Sequence, residues 1–253
     1  MTTTKKVTKV SGGENDPQKT TFVPTAEAKS KASQLRLYAI LLWVLAIVAE
    51  IGAMIILFKK NPEIDLSTGN RIVLIVILFV DLILLIAGSS FWKKANRFDP
   101  ASKKDAFKFF LQSQLGVGVA IVAFLPVVIL AFIKKEYIVG VIAAVFMVGG
   151  GAASADYNPP SVEEYTEQTS RIEELTGTNH VFWTKSGTKY HIYSDCSHIN
   201  SDRTDEIFEG TVVQARELKN ITELCKTCEN KAEKARALKM PEAIAGEEIE
   251  TNE

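Results

Sequence analysis

The sequence predicts a mainly α membrane protein: a four-helix transmembrane bundle followed by a small α+β, zinc-ribbon-like domain. Three observations lead there. Four long apolar runs are almost free of charge, and each approaches the roughly 20 residues that cross a hydrocarbon core of about 30 Å. All three cysteines fall in the last quarter of the chain, in a metal-ligand pattern. Charged residues crowd the tails and loops, so a net charge of −1 over 253 residues hides a segregation that soluble domains do not show.

Residues 1–35 are rich in Thr, Lys, Ser and Gly and lack apolar periodicity, which predicts a disordered basic N-terminal arm. Its lysines, Lys5, Lys6, Lys9, Lys19, Lys29 and Lys31, read as a solvated tail, with contact to anionic lipid as the alternative. No cleavable signal is expected, because the first apolar run starts only after Arg36 and lacks a cleavage site.

Residues 36–153 are expected to hold the four spans, at 37–58, 72–91, 109–133 and 137–153. The fourth is the shortest. It follows only Lys134-Lys135-Glu136, which predicts a tight antiparallel hairpin of spans three and four. The arm and the second loop (Lys93, Lys94, Arg97, Lys103, Lys104, Lys108) are more basic than the other two loops (Lys59, Lys60, Arg71; Lys134, Lys135). Positive residues stay inside, so both termini are expected in the cytoplasm of a cell-membrane protein. Were the fourth run not to cross, the C-terminal domain would lie outside.

Glu50 and Asp81 fall inside spans one and two, where a carboxylate needs a partner or a water-filled cavity. Counted from the outer ends, Glu50 is eight residues from Phe58 and Asp81 nine from Ile72, so in antiparallel neighbours they lie at similar depth. Ala39, Ala46 and Ala53 recur every seven residues beside Glu50, and Gly88 lies seven beyond Asp81, which predicts close helix packing with the acids inward. Gly116, Ala120 and Ala123, with Gly140 and Ala144, supply similar stripes in the other two spans. The pair is expected to share a proton or a bound cation, or to serve as protonated structural glue.

Residues 154–179 read as an acidic linker: Pro159-Pro160 is followed by Ser161-Val162-Glu163-Glu164, the spacing of a capping box, and a short helix ending at Gly177. Residues 180–240 carry His191, four residues, Cys196, twenty-eight residues, then Cys225-Lys-Thr-Cys228. Zinc takes four ligands in a tetrahedron and favours thiolate and imidazole, and a two-residue spacer lets both sulfurs reach one ion. Four protein ligands close the site, so structural Zn2+ is the expected cofactor and catalysis at the metal is disfavoured. His198 is the alternative fourth ligand. A Cys225/Cys228 redox pair would need a βαβ setting that this stretch lacks, and plain buried thiols are the remaining alternative. Around the ligands, Val181–Thr184 and Thr188–His191 read as a hairpin about Ser186-Gly187, Ile207–Gly210 as a third strand, and Thr211 as a helix N-cap. A last helix is expected over about 229–239, and residues 241–253 read as a disordered acidic tail.

The run WTKSGTKYHIYSDCSHI, then EGTVVQA and ELCKTC, resembles the small zinc domain at the C-terminal ends of many bacterial membrane and secreted proteins, itself distantly similar to the metal-binding domain of the Ada-type methyl phosphotriester repair protein. The resemblance covers roughly a quarter of the chain, the scale of a small domain. It implies a fold and a metal rather than a reaction. The Ada-type site uses four cysteines, one of them a methyl acceptor, whereas His191 stands at one ligand position here, so repair activity is not carried over.

Function is expected to follow from display rather than catalysis. There is no glycine-rich phosphate loop, nucleophile elbow or His-Glu-x-x-His pair. The expected partners are the lipid bilayer and an unidentified protein, with self-association left open. Nucleic acid is disfavoured, since residues 180–253 hold ten Lys and Arg against fourteen Asp and Glu. The alternative is a small transporter or ion-conducting bundle using Glu50 and Asp81 and regulated by the zinc domain.

Overall fold

Each apolar run becomes a helix: α1 (Ala26–Phe58), α2 (Thr68–Phe98), α3 (Ala106–Ile133) and α4 (Tyr137–Ser154). The structure, a computed structural model, describes residues 6–9, 22–60, 66–219 and 221–247. All four helices are long and apolar enough to cross a membrane. They form one unit, residues 24–161. In it α1 packs chiefly on α2 and α3 on α4.

Helix α1 begins well before the expected span. Thr25 caps it by accepting from the Ala28 N–H, and Glu27 pairs with Lys31 one turn on, so residues 26–35 of the expected disordered arm are helical. The small-residue stripes face inward: Ala39, Ala46, Ala53, Gly116, Ala120 and Ala123 are buried. A Cβ on Gly88 would meet the Trp43 ring at 2.6 Å, so only glycine admits that indole against α2. In α4 the inward position is Ala143, while Ala144 is half-buried, a one-residue rotation from the expected stripe.

The α3–α4 hairpin closes as its three-residue loop demands. Lys135 takes a left-handed backbone (φ 59°), its N–H bonds Phe132 O, and the Glu136 N–H bonds Ala131 O at 2.8 Å, a complete Schellman closure with lysine in the position glycine usually fills. Glu136 itself is buried. It accepts from Arg71 Nε (3.1 Å), Lys60 Nζ (3.2 Å) and the Leu66 N–H (3.1 Å), while Lys134 Nζ caps the Phe58 and Lys60 carbonyls. The loops at this end are therefore tied by their own charges. Burial pushes the Glu136 carboxyl up, but Arg71, the Leu66 N–H and Lys60 together outweigh it and hold the group below the usual carboxylate range.

The second unit joins residues 162–253 to the N-terminal 23 residues. Its elements are β1 (Lys6–Lys9), α5 (Val162–Thr176), β2 (His180–Thr184), β3 (Lys189–Tyr190), β4 (Glu206–Thr211), α6 (Val212–Lys219), β5 (Glu223–Leu224) and α7 (Lys226–Glu247). One sheet has the order β1-β4-β2, with β4 antiparallel to β2 and parallel to β1; a second, two-stranded sheet pairs β3 with β5 in parallel. In the expected arm, Val7 thus stands beside Ile207, and the Thr8 hydroxyl donates to the Glu206 carboxylate. Residues 1–5 and 10–21 of that arm, and residues 248–253 of the expected tail, lie outside the described residues.

The expected linker helix is part of this unit. Helix α5 buries Tyr165, Ile172 and Leu175, a stripe that its acidic composition disguises. Its acids are answered too: Glu164 pairs with buried Arg216 at 2.9 Å, Gln168 accepts from the same guanidinium, and that guanidinium lies 4.4 Å over the Tyr165 ring. The domain therefore starts at Val162, earlier than the 180 that the cysteines suggest.

Candidate metal centre

Three local structures deliver the four ligands. Strand β2 and the segment through β3 form the expected hairpin, closed at its open end by paired bonds between Phe182 and His191, both 2.7 Å. This presents the His191 ring at the end of the second strand. Cys196 heads a tight turn in which its carbonyl accepts from the Ile199 and Asn200 N–H groups. Cys225 sits between β5 and α7, and its N–H donates to Tyr190 O at 2.9 Å, so the strand that ends at His191 holds the cysteine knuckle in register. Cys228 lies in the first turn of α7, which starts three residues earlier than the expected 229.

The four ligand atoms lie within 4.8 Å of one another, and all four residues are buried. Cys228 Sγ and His191 Nδ1 are 3.7 Å apart. A tetrahedron with metal–sulfur bonds of about 2.3 Å has edges of about 3.8 Å, so His191, Cys196, Cys225 and Cys228 can bind one metal ion with little movement. The electrostatics suit that use. Burial, then the neighbouring His198, holds the His191 imidazole down to about 4, so it is neutral with a lone pair to give. Burial pushes Cys225 up, but the Cys228 and Thr227 N–H groups at the start of α7 outweigh it and favour the thiolate. Burial pushes the Cys196 thiol up to about 12, the shift that a cation at the centre of the cluster would reverse.

His198 is outside the cluster. Its ring is exposed, makes a 3.2 Å contact with Thr227 Oγ1 and lies 6.4 Å from the His191 ring. The core around the ligands is Ile172, Val181, Trp183, Tyr190, Ile199 and Ile221, with others. A cleft of about 430 Å³ opens beside His191 and Cys225 and is lined by Ser186, Thr188, Lys189, His198, Lys226 and Thr227 among others. Thr211 caps α6 as expected, and the cap is reciprocal: the Gln214 N–H donates to the Thr211 hydroxyl while Gln214 Oε1 accepts from the Thr211 N–H.

In the other unit, Glu50 and Asp81 come together in the bundle core. Both are fully buried, and each carboxyl group is close enough to feel the other. Among the described residues no side-chain donor meets any of their four oxygens, and the Val127 N–H is the one backbone group that faces the Glu50 carboxyl, without closing a hydrogen bond. The Glu136 cluster, by contrast, is not legible as a site: Lys134-Lys135-Glu136 reads as a loop, and only the approach of Lys60 from beyond α1 and of Arg71 from the first turn of α2 gives the acid its partners.

No family model, curated protein or solved structure matches the chain. The likeness to the small zinc domain therefore rests on the residues quoted for it, and the geometry supplies the metal-binding group independently.

Proposed function

We propose that the protein is a multi-pass membrane protein that displays a small structural zinc domain, acting as an interaction or sensing module without catalytic activity. The observation that carries this is the convergence of three thiols and one imidazole, all buried, which uses every position of a tetrahedral ion and leaves none for substrate. Zinc is the metal that such a sulfur-rich set favours. The adjoining cleft, with its hydroxyls and two lysines, is the surface that the module offers a partner.

Two further observations support the setting. Only 28–39% of each helix's most apolar window is buried within the protein, and Leu41, Val48, Phe79, Val122 and Val145 point outward, a surface suited to lipid rather than water. Strand β1 precedes the four helices and β4 follows them, yet they share one sheet, which requires an even number of crossings between them. Four spans satisfy that, and the basic second loop favours the cytoplasmic side for both termini.

The test is elemental analysis of the detergent-purified full-length protein beside three variants. One zinc per chain is expected, lost in His191→Ala and Cys225→Ser and kept in His198→Ala. A protease-resistant C-terminal domain that holds no metal would sink the reading.

A further inference from the structure

Glu50 and Asp81 play no part in the zinc reading. Two anions in a dry interior lose hydration and repel one another, and only a counter-charge or a proton can offset that. Among the described residues no cationic side chain pairs with either acid. Between 37–58, 72–91, 109–133 and 137–154 the only ionisable side chains are Tyr38, Tyr137 and the two acids themselves. The buried residues that α3 and α4 bring to this core, Ala120, Phe124, Val127 and Ala143, are apolar. Lys60 and Arg71 are already engaged by Glu136.

A second observation is independent of the acids. Among the described residues of the bundle, three more buried oxygens lack a hydrogen-bond partner: Ser89 Oγ, Asn96 Oδ1 and Ser154 Oγ. Ser89 and Asn96 stand eight and fifteen residues beyond Asp81 on α2, about 12 and 22 Å along the axis. A Cβ on Gly116 would lie 2.8 Å from Ser89 Oγ and 3.0 Å from Ser154 Cβ, so α2, α3 and α4 meet around these hydroxyls. Asn96 and Trp92 both donate to Gln112 O, at 2.7 and 3.0 Å. Between the acids and the hydroxyls stands Trp43, whose indole fills the notch at Gly88 and donates to Leu85 O at 3.4 Å. Unanswered polar atoms thus lie between the carboxyl pair and one end of the bundle, separated from the pair by the Trp43 indole and by Leu85.

We propose that Glu50 and Asp81 form a proton-binding site inside the bundle, loaded from the end of α2 that carries Ser89 and Asn96. One proton converts a carboxylate into a donor for its neighbour, so one hydrogen bond can replace the repulsion of two anions, and loss of the proton restores it. A site that alternates in this way is what a proton-coupled membrane process requires.

The test uses the full-length protein in detergent micelles. Infrared spectroscopy reads protonated carboxyls through their C=O stretch, and dicyclohexylcarbodiimide, an apolar reagent for protonated carboxyls, locates them by mass spectrometry. The expected result is a carboxyl band that titrates away as pH rises and is lost in Glu50→Gln/Asp81→Asn, with label on Glu50 or Asp81 that sodium and potassium leave unchanged at fixed pH. Ser89→Ala should slow deuterium exchange of that band several-fold; unchanged exchange overturns the loading route. A band that survives at every pH marks a fixed structural hydrogen bond, and protection from labelling by sodium or potassium marks a metal-cation site; either overturns the proposal. The wild-type titration needs no variant, so a misfolded mutant leaves the test intact. Zinc content in the same preparations reports the zinc reading separately.

Discussion

Glu136 and the pair Glu50 and Asp81 are about equally buried, at 2%, 2% and 0% exposure, yet their surroundings are opposite. Glu136 collects Arg71, Lys60 and a backbone N–H; the pair meets no cation and closes no hydrogen bond with another side chain. The difference is one of position. Glu136 sits in a three-residue loop where chain ends bring lysines and arginine, whereas the pair sits on two helices whose neighbours are apolar by composition. A buried acid with a full set of partners holds a structure together, whereas two buried acids without a cation cannot both ionise comfortably. The metal centre belongs with the second kind: its thiols and imidazole converge on one point and satisfy one another poorly until a cation occupies it.

The contrast can be broken most severely at the metal centre. Cys228→Ser should cost the small domain most of its metal-linked folding energy, on the scale of about 10 kcal/mol, read as loss of zinc and rapid proteolysis within residues 180–240, with the helical bundle retained by circular dichroism. Next comes Glu136→Gln. It leaves Lys60, whose side chain is 4% exposed, without an anion, and should cost about 3 kcal/mol, read as a lower Tm of the bundle. Because Glu136 is held below the usual carboxylate range, its contribution is present above the unfolded pKa and is lost as pH falls through the folded one. The wild-type and Glu136→Gln melting curves should therefore converge in acid and separate towards neutrality; a constant gap would show that the carboxylate charge is not what matters. The smallest effect sharpens the loop half of the comparison. Lys135→Gly relieves a left-handed backbone at a lysine and should gain about 1 kcal/mol, read as a slightly higher Tm of the bundle.

Much of this was legible residue by residue. The hairpin that ends at His191, the Thr211 cap, the tight α3–α4 turn and the approach of Glu50 to Asp81 all follow from local spacing or from equal depth in antiparallel helices. What stayed hidden depended on distant partners. Helix α5 reads as a solvated linker because five glutamates mask Tyr165, Ile172 and Leu175, and only Arg216 from α6 shows where those acids go. Strand β1 shows no period in four residues flanked by polar sequence, and its order comes from the edge that β4 offers.

The sequence by itself determined where the apolar helices run, which residues can ligate a metal, and that two carboxylates lie within helices one and two. Those properties are local, set by composition and by the fixed rise and period of the backbone. Tertiary structure decided which histidine joins the cysteines, which acid meets cations and which meets only another acid, and where the small domain begins. Each of those choices turns on groups far apart in the chain reaching one point, and spacing along the chain carries no record of that distance.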